Sequence, residues 1–302
     1  MVQRARHRPH DYRDELNSFG FRGPEIEAIK PSGRTRIFFI GASTVFGISC
    51  PIEKTFPFLA GEILHAQMPG KDLETVNAAR PGTTTPWVLK RLEETKSLLP
   101  DIVVVTTGYN DAASVYTNQV HIEDGQQIIL TPWYFKLHIF LRGHSMLYTS
   151  IKEKLSLLFY KTPRYEFPWS KLIRREANPA SREWFQYYPD QYEKQLLKIE
   201  DWCKTHQVKL IFIEPPVRPG LEKTQPLYAE AVGALNQKLQ EVGRLHHIVV
   251  ISVQDLFPES VVDKDFLDDV HFTPAGHEKM ARAAAKVLED LLRGPANEAA
   301  GI

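Results

Sequence analysis

Short continuous apolar runs alternate along this chain with longer segments of helical period. Ile37-Phe38-Phe39-Ile40 closes on Gly41, and Asp101 to Thr107 carries Ile102 and three successive valines. Runs of this kind suit strands buried on both faces of a parallel sheet. Thr75-Val76-Asn77 is a weaker strand that meets the turn signal Pro81-Gly82. Lys209 to Glu214 and His247 to Ser252 bring the strand candidates to five. Between them, Thr55–Gln67, Val88–Leu99, Asp190–His206 and Leu227–Arg244 read as helices, and Pro274–Arg293 as a closing one. Pro274 stands in the first turn of that last helix behind Thr273, which predicts an N-cap there. Strands alternating with helices predict an α/β fold, a doubly wound parallel five-stranded sheet with right-handed crossovers. Ligands of such sheets bind outside the carboxyl ends of the strands. Chemistry is therefore expected in the loops after Ile40, Val76, Thr107, Glu214 and Ser252.

The rest of the chain interrupts this pattern. Residues 1–34 have no clear period and read as an N-terminal arm. Residues 35–294 read as a single domain with a helical insertion at about 113–189, and 295–302 as a disordered Gly/Ala-rich tail. Within the insertion, Pro132 to Glu176 holds nine Lys/Arg against three Glu, with ten aromatics. Three readings of it stand: a flap completing the core, a lid over the strand ends, or a peripheral membrane contact through 132–176.

Composition sets the outer bounds. The 302 residues are 43% apolar and carry 37 basic and 37 acidic side chains. Such a length buries a sizeable core without covalent staples. The zero balance speaks against a nucleic-acid partner at whole-chain level. No window approaches a membrane-spanning apolar run, and the basic, polar start lacks the apolar core of a signal peptide. A cytoplasmic location is the default that follows. Cys50 and Cys203 are too few for a disulfide framework or a cysteine-rich zinc site, and leave a single bridge open.

Four strand-end loops carry candidate chemistry. Gly41-Ala42-Ser43-Thr44 places a hydroxyl in a tight turn entering a helix, near N–H groups that favour developing negative charge. Taken alone, Ser43 or Thr44 would be an ordinary helix cap. The loop has neither the lysine of a phosphate-binding loop nor the glycine spacing of a dinucleotide site. Arg80-Pro81-Gly82 offers a backbone N–H that no side chain shields. Gly108-Tyr109-Asn110-Asp111 offers a neutral amide donor, suited to an oxyanion. Asp268-Asp269-Val270-His271 offers a histidine with a carboxylate three residues before it, able to fold back on the imidazole. Asp269 is the competing carboxylate. His277, six residues on, invites a metal reading, but no ligand spacing accompanies it. Each loop by itself has a bland explanation. Together they supply a nucleophile, a base, an orienting acid and oxyanion donors, every role needed for acyl transfer.

In this chain order, the Ser, Gly, Asn and His blocks resemble those of the SGNH (GDSL-like) hydrolase superfamily. The resemblance spans about residues 36–112 and 190–290 and leaves 113–189 uncovered. Ala42 stands where many members carry Asp, a variation that keeps the nucleophile. The resemblance implies a three-layer α/β/α sandwich of flavodoxin-like type. It also implies a serine esterase or deacylase, with carbohydrate O-deacetylase and lipase-like variants, acting on a small-molecule, carbohydrate or lipid ester. Ser43 would be the nucleophile, His271 the general base and Asp268 its orienting acid. The Ser43 and Gly82 N–H groups and the Asn110 amide would form the oxyanion hole. Neither cofactor nor metal is implied. An O-acyltransferase would use the same residues, and a non-catalytic binding module could share the fold, though the complete residue set argues against the latter. Asn17 to Gly23 with Lys30-Pro31 is similar to members whose hydrolase domain follows a membrane anchor. An extracytoplasmic place would follow if this chain were a shortened form of such a protein.

Overall fold

A computed structural model describes residues 15–48, 50–116, 120–123, 126–129 and 179–294. The chain divides into two compact units, Met1–Ala112 with Tyr188–Ile302, and Ala113–Tyr187. The first unit holds a five-stranded, wholly parallel sheet. Its strands are β1 (Thr35–Gly41), β2 (Leu73–Asn77), β3 (Ile102–Thr106), β6 (Lys209–Ile213) and β7 (Val249–Ile251). Their spatial order is β2-β1-β3-β6-β7. The second unit contains an antiparallel pair, β4 (Val120–Glu123) and β5 (Gln126–Ile129). The segment 132–176, for which membrane contact was one reading, lies outside the described residues, as do 1–14 and the tail 295–302.

Alternation along the strands divides the core in two. Ile37, Phe39, Val104, Ile211 and Ile213 share a cluster with helices α2 (Phe56–Gln67) and α7 (Pro274–Arg293). Phe56, Ala60 and Leu64 from α2, and Met280, Ala284 and Leu288 from α7, are buried there. Phe38, Ile40, Val103, Val105 and Phe212 are buried toward the opposite face. That side is built from α3 (Thr85–Thr95), α5 (Pro179–Thr205) and α6 (Pro226–His246). Trp202 Nε1 donates to Glu93 at 2.5 Å and Lys238 pairs with Glu193 at 3.0 Å, tying the three helices together. The result is a three-layer α/β/α sandwich.

Two helices depart from the sequence pattern. α3 begins at Thr85, not Val88, because the Asp111 carboxylate accepts the Thr85 N–H and anchors the first turn. α5 begins at Pro179, not Asp190, and runs through Pro189. A proline removes one helical hydrogen bond and so reads as a start signal. Here Tyr188 and Tyr192, buried on either side of it, give that helix a packed face. Thr273 does cap α7, its Oγ1 accepting the Gly276 N–H at 3.3 Å. Cys50 and Cys203 are both buried and unbridged.

His277 lies on α7 and is fully buried, stacked on Phe56 with its Nδ1 accepting the Phe56 N–H at 3.3 Å. Burial, then the charges of Arg22 and His271, pull its pKa down to about 3. The unfolded chain takes up that proton below roughly pH 6.5, whereas the folded chain does not. Stability is therefore complete above that pH and falls toward pH 3, at about 1.4 kcal/mol per unit from this group. Denaturant midpoints between pH 7 and pH 5 should drop more steeply for the natural chain than for His277→Gln. Parallel curves would show that His277 is not the cause.

Candidate active site

β1 ends at Gly41 for a steric reason. A Cβ there would stand 2.4 Å from Val45 Cγ2 and 2.6 Å from the Thr106 carbonyl oxygen. The turn can thus pack tightly between β1 and β3, and Ser43 opens a one-turn helix, α1 (Ser43–Phe46). That helix is closed by Gly47 at φ 80°, whose N–H returns to the Ser43 carbonyl at 2.9 Å. The Ser43 hydroxyl is partly exposed at the carboxyl end of the sheet.

His271 comes from the other end of the chain. The loop that carries it is pinned on both sides: the Leu267 N–H donates to the His271 carbonyl at 2.8 Å, and the Thr273 N–H to the Asp265 carbonyl at 2.9 Å. Ser43 Oγ lies 2.8 Å from His271 Nε2, although the residues are 228 positions apart. His271 Nδ1 lies 2.7 Å from Asp268 Oδ2. Asp268 Oδ1 meanwhile accepts the N–H groups of Val270 at 2.9 Å and His271 at 2.8 Å. The carboxylate thus grips both the backbone and the ring of the residue it faces.

Burial alone would raise the Asp268 pKa. The His271 hydrogen bond and charge, with the two backbone N–H groups, outweigh it and hold the carboxyl below its ordinary value. An ionised carboxylate only accepts, so Nδ1 must carry the proton. In the neutral ring Nε2 is then an acceptor, facing the Ser43 hydroxyl. Asp269 points elsewhere, accepting from Gln225 Nε2, with Arg218 4.0 Å away. Its carboxyl is pushed up chiefly by burial.

Gly82 is exposed on the loop after β2, at φ 77°, with open space where a Cβ would sit. Asn110, on the short helix α4 (Tyr109–Ala112), donates one amide N–H to the Thr83 carbonyl at 2.7 Å. This bond ties the amide to the Gly82 loop and leaves the second N–H of the group uncommitted by it. Asp111, next to Asn110 in the same block, has no role of its own in the sequence pattern. It is buried, and its oxygens accept the Thr85 N–H at 3.1 Å and the Tyr188 hydroxyl at 3.0 Å. Burial pushes its carboxyl above the ordinary range despite those bonds. It joins the Asn110 helix to the start of α3, and hence to the Gly82 loop. A carboxylate at a strand end, with a Thr-Pro helix start upstream, was the available signal. Among the described residues no group of three or more His, Cys, Asp or Glu could hold a metal ion. His277 faces the core, away from ligand company.

Comparison with known proteins gives consistent results. A model of the GDSL-like lipase/acylhydrolase family matches residues 39–279. No curated protein matches the chain. Among solved structures, LAE5, an alpha/beta hydrolase enzyme from the metagenome of Lake Arreo, is 16% identical with a TM-score of 0.52, covering 85% of this chain and 96% of its own. Axe2, an acetylxylan esterase from Geobacillus stearothermophilus, is 17% identical with a TM-score of 0.53, covering 83% and 93%. The lipase/acylhydrolase from Enterococcus faecalis is 18% identical with a TM-score of 0.50, covering 84% and 95%. At these identities the structures testify to the fold.

Proposed function

Because this chain belongs to the GDSL-like lipase/acylhydrolase family, and so is a hydrolase of ester bonds, we propose that it works through an acyl-enzyme on Ser43. The observation that carries this reading is the unbroken relay from Ser43 Oγ through His271 to Asp268, at 2.8 and 2.7 Å. Ser43 Oγ attacks the ester carbonyl carbon while Nε2 takes the hydroxyl proton. The tetrahedral oxyanion is held by the Ser43 and Gly82 N–H groups and by the Asn110 amide. As it collapses, the C–O bond breaks and His271 passes its proton to the departing alcohol. Water then repeats the sequence and releases the acid, a ping-pong course. Asp268 stabilises the imidazolium formed in both halves.

An activated serine reacts with a fluorophosphonate probe, and an ordinary surface serine does not. Labelling of the intact chain at Ser43, with a burst on p-nitrophenyl acetate, is the expected result. An unlabelled, properly folded chain would overturn the reading. The short acyl group of that ester suits a first assay because it makes no demand on the size of the acyl site. Asn110→Ala removes one oxyanion donor and should lower kcat by about 10²–10³ with KM little changed. A variant within a factor of about three of the natural kcat would remove Asn110 from the oxyanion hole.

A further inference from the structure

We infer that Arg22, in the N-terminal arm, is a positioning residue for the nucleophile, so that the arm belongs to the hydrolytic apparatus; the inference rests on the reading of Ser43 just given. The starting point is a weakness in α1. One helical turn does not sustain itself, because nucleation fixes several residues for very few hydrogen bonds. Its last carbonyls, and those of the loop behind it, also lie inside the protein and require donors. The protein supplies them from outside the helix. Asn77 Nδ2, at the end of β2, donates to Val45 O at 3.1 Å and Phe46 O at 3.3 Å.

Arg22 does more. Its side chain is fully buried. Nη1 donates to the carbonyls of Phe46 at 2.7 Å and Gly47, and Nη2 to that of Cys50 at 2.8 Å. Nε and Nη2 also bind the Glu15 carboxylate. All five N–H groups of the guanidinium are thereby used, three of them on the backbone that follows Ser43. The guanidinium additionally lies over the Phe46 ring, 4.9 Å from its centroid. Gly47 makes room for this: a Cβ there would stand 3.2 Å from Arg22 Nη1 and 2.4 Å from Thr55 Cγ2.

The arm is built to deliver that side chain. Asn17 Oδ1 accepts the N–H groups of Phe19 and Phe21, both at 3.0 Å, folding the segment into a turn. Phe21 is buried edge-on against Phe38 of β1. The Arg22 N–H donates to Asn77 O at 3.0 Å, so the two residues that hold α1 also hold each other. His271 is placed by a different loop, on Asp268. The 2.8 Å reach from Ser43 Oγ to Nε2 therefore depends on where Arg22 and Asn77 set α1. A misplacement of about 1 Å can cost roughly 10²-fold in rate.

The test is Arg22→Ala and Arg22→Lys in the full chain, with kcat and KM on p-nitrophenyl acetate and the fluorophosphonate labelling rate, all per folded molecule. For Arg22→Ala, kcat and labelling should fall together by about 100-fold with KM within about threefold. Added guanidinium ion at about 50 mM, far below denaturing concentration, should restore kcat at least tenfold and leave the natural chain unchanged. A general loss of structure would not respond to the added ion. Lysine has three donors on one point and cannot reproduce the fork, so Arg22→Lys should fold and lose about tenfold in kcat. It decides the matter if Arg22→Ala does not fold. A natural chain that the probe labels, beside an Arg22 variant labelled at the same rate, overturns this inference alone. A natural chain that is not labelled overturns the Ser43 reading and this inference with it.

Discussion

Ser43→Ala should abolish ester hydrolysis, with a loss on the order of 10⁶ in kcat, while the protein folds as before. The side chain bonds His271 Nε2 and is partly exposed, so removing one oxygen opens no core cavity. What disappears is the atom that forms the acyl-enzyme. A residual acceleration over water of about 10³–10⁴ could persist from the oxyanion donors and binding, because they act on any attacking water. Fluorophosphonate labelling should vanish completely, since no other group replaces the nucleophile. Circular dichroism and a melting curve alongside the assay would exclude misfolding. Turnover near that of the natural chain would remove Ser43 from the mechanism.

Asp268→Asn comes next in size, with an expected loss of about 10⁴ in kcat. The amide is close in shape, and its oxygen can still accept the Val270 and His271 N–H groups. It can also present an NH₂ to Nδ1, which then becomes the acceptor. The ring proton moves to Nε2, and the ring can no longer take the proton of Ser43. The loss thus arises from a change of tautomer in a nearly unchanged geometry. Asp269→Asn should stay within about threefold, because its bonds run to Gln225 and Arg218 and not to the imidazole. Comparing the two variants separates adjacent carboxylates of equal charge, and a larger loss at Asp269 would reverse the assignment. The lowered Asp268 pKa adds a sign. This carboxylate stays charged down to pH values below the ordinary carboxylate range, so activity lost between pH 7 and pH 5 does not come from its protonation.

Much of this protein is legible from the chain alone, and the reason lies in the period of the pattern. A strand buried on both faces has no polar positions, which is why Ile37 to Ile40 and Ile102 to Val105 stand out. Helices with one wet face show their repeat, and Pro274 behind Thr273 marks a start through local chemistry. The α/β rule then directs attention to Ser43, Gly82, Asn110 and His271, because strand ends are where such sheets bind ligands. The Asp268–His271 contact spans three residues and is within reach of local reasoning.

Tertiary structure decided what depends on partners distant in the chain. Asp111 sets the true start of α3, and packing around Tyr188 and Tyr192 carries α5 through Pro189. Neither effect leaves a periodic trace. Spacing already favoured Asp268 over Asp269, and the fold adds where the second carboxylate goes, to Gln225 and toward Arg218. Arg22 is the clearest instance. In the sequence it is one cation in an aperiodic arm. Its meaning lies in buried carbonyls at Phe46, Gly47 and Cys50, which need donors only because the fold takes them out of water.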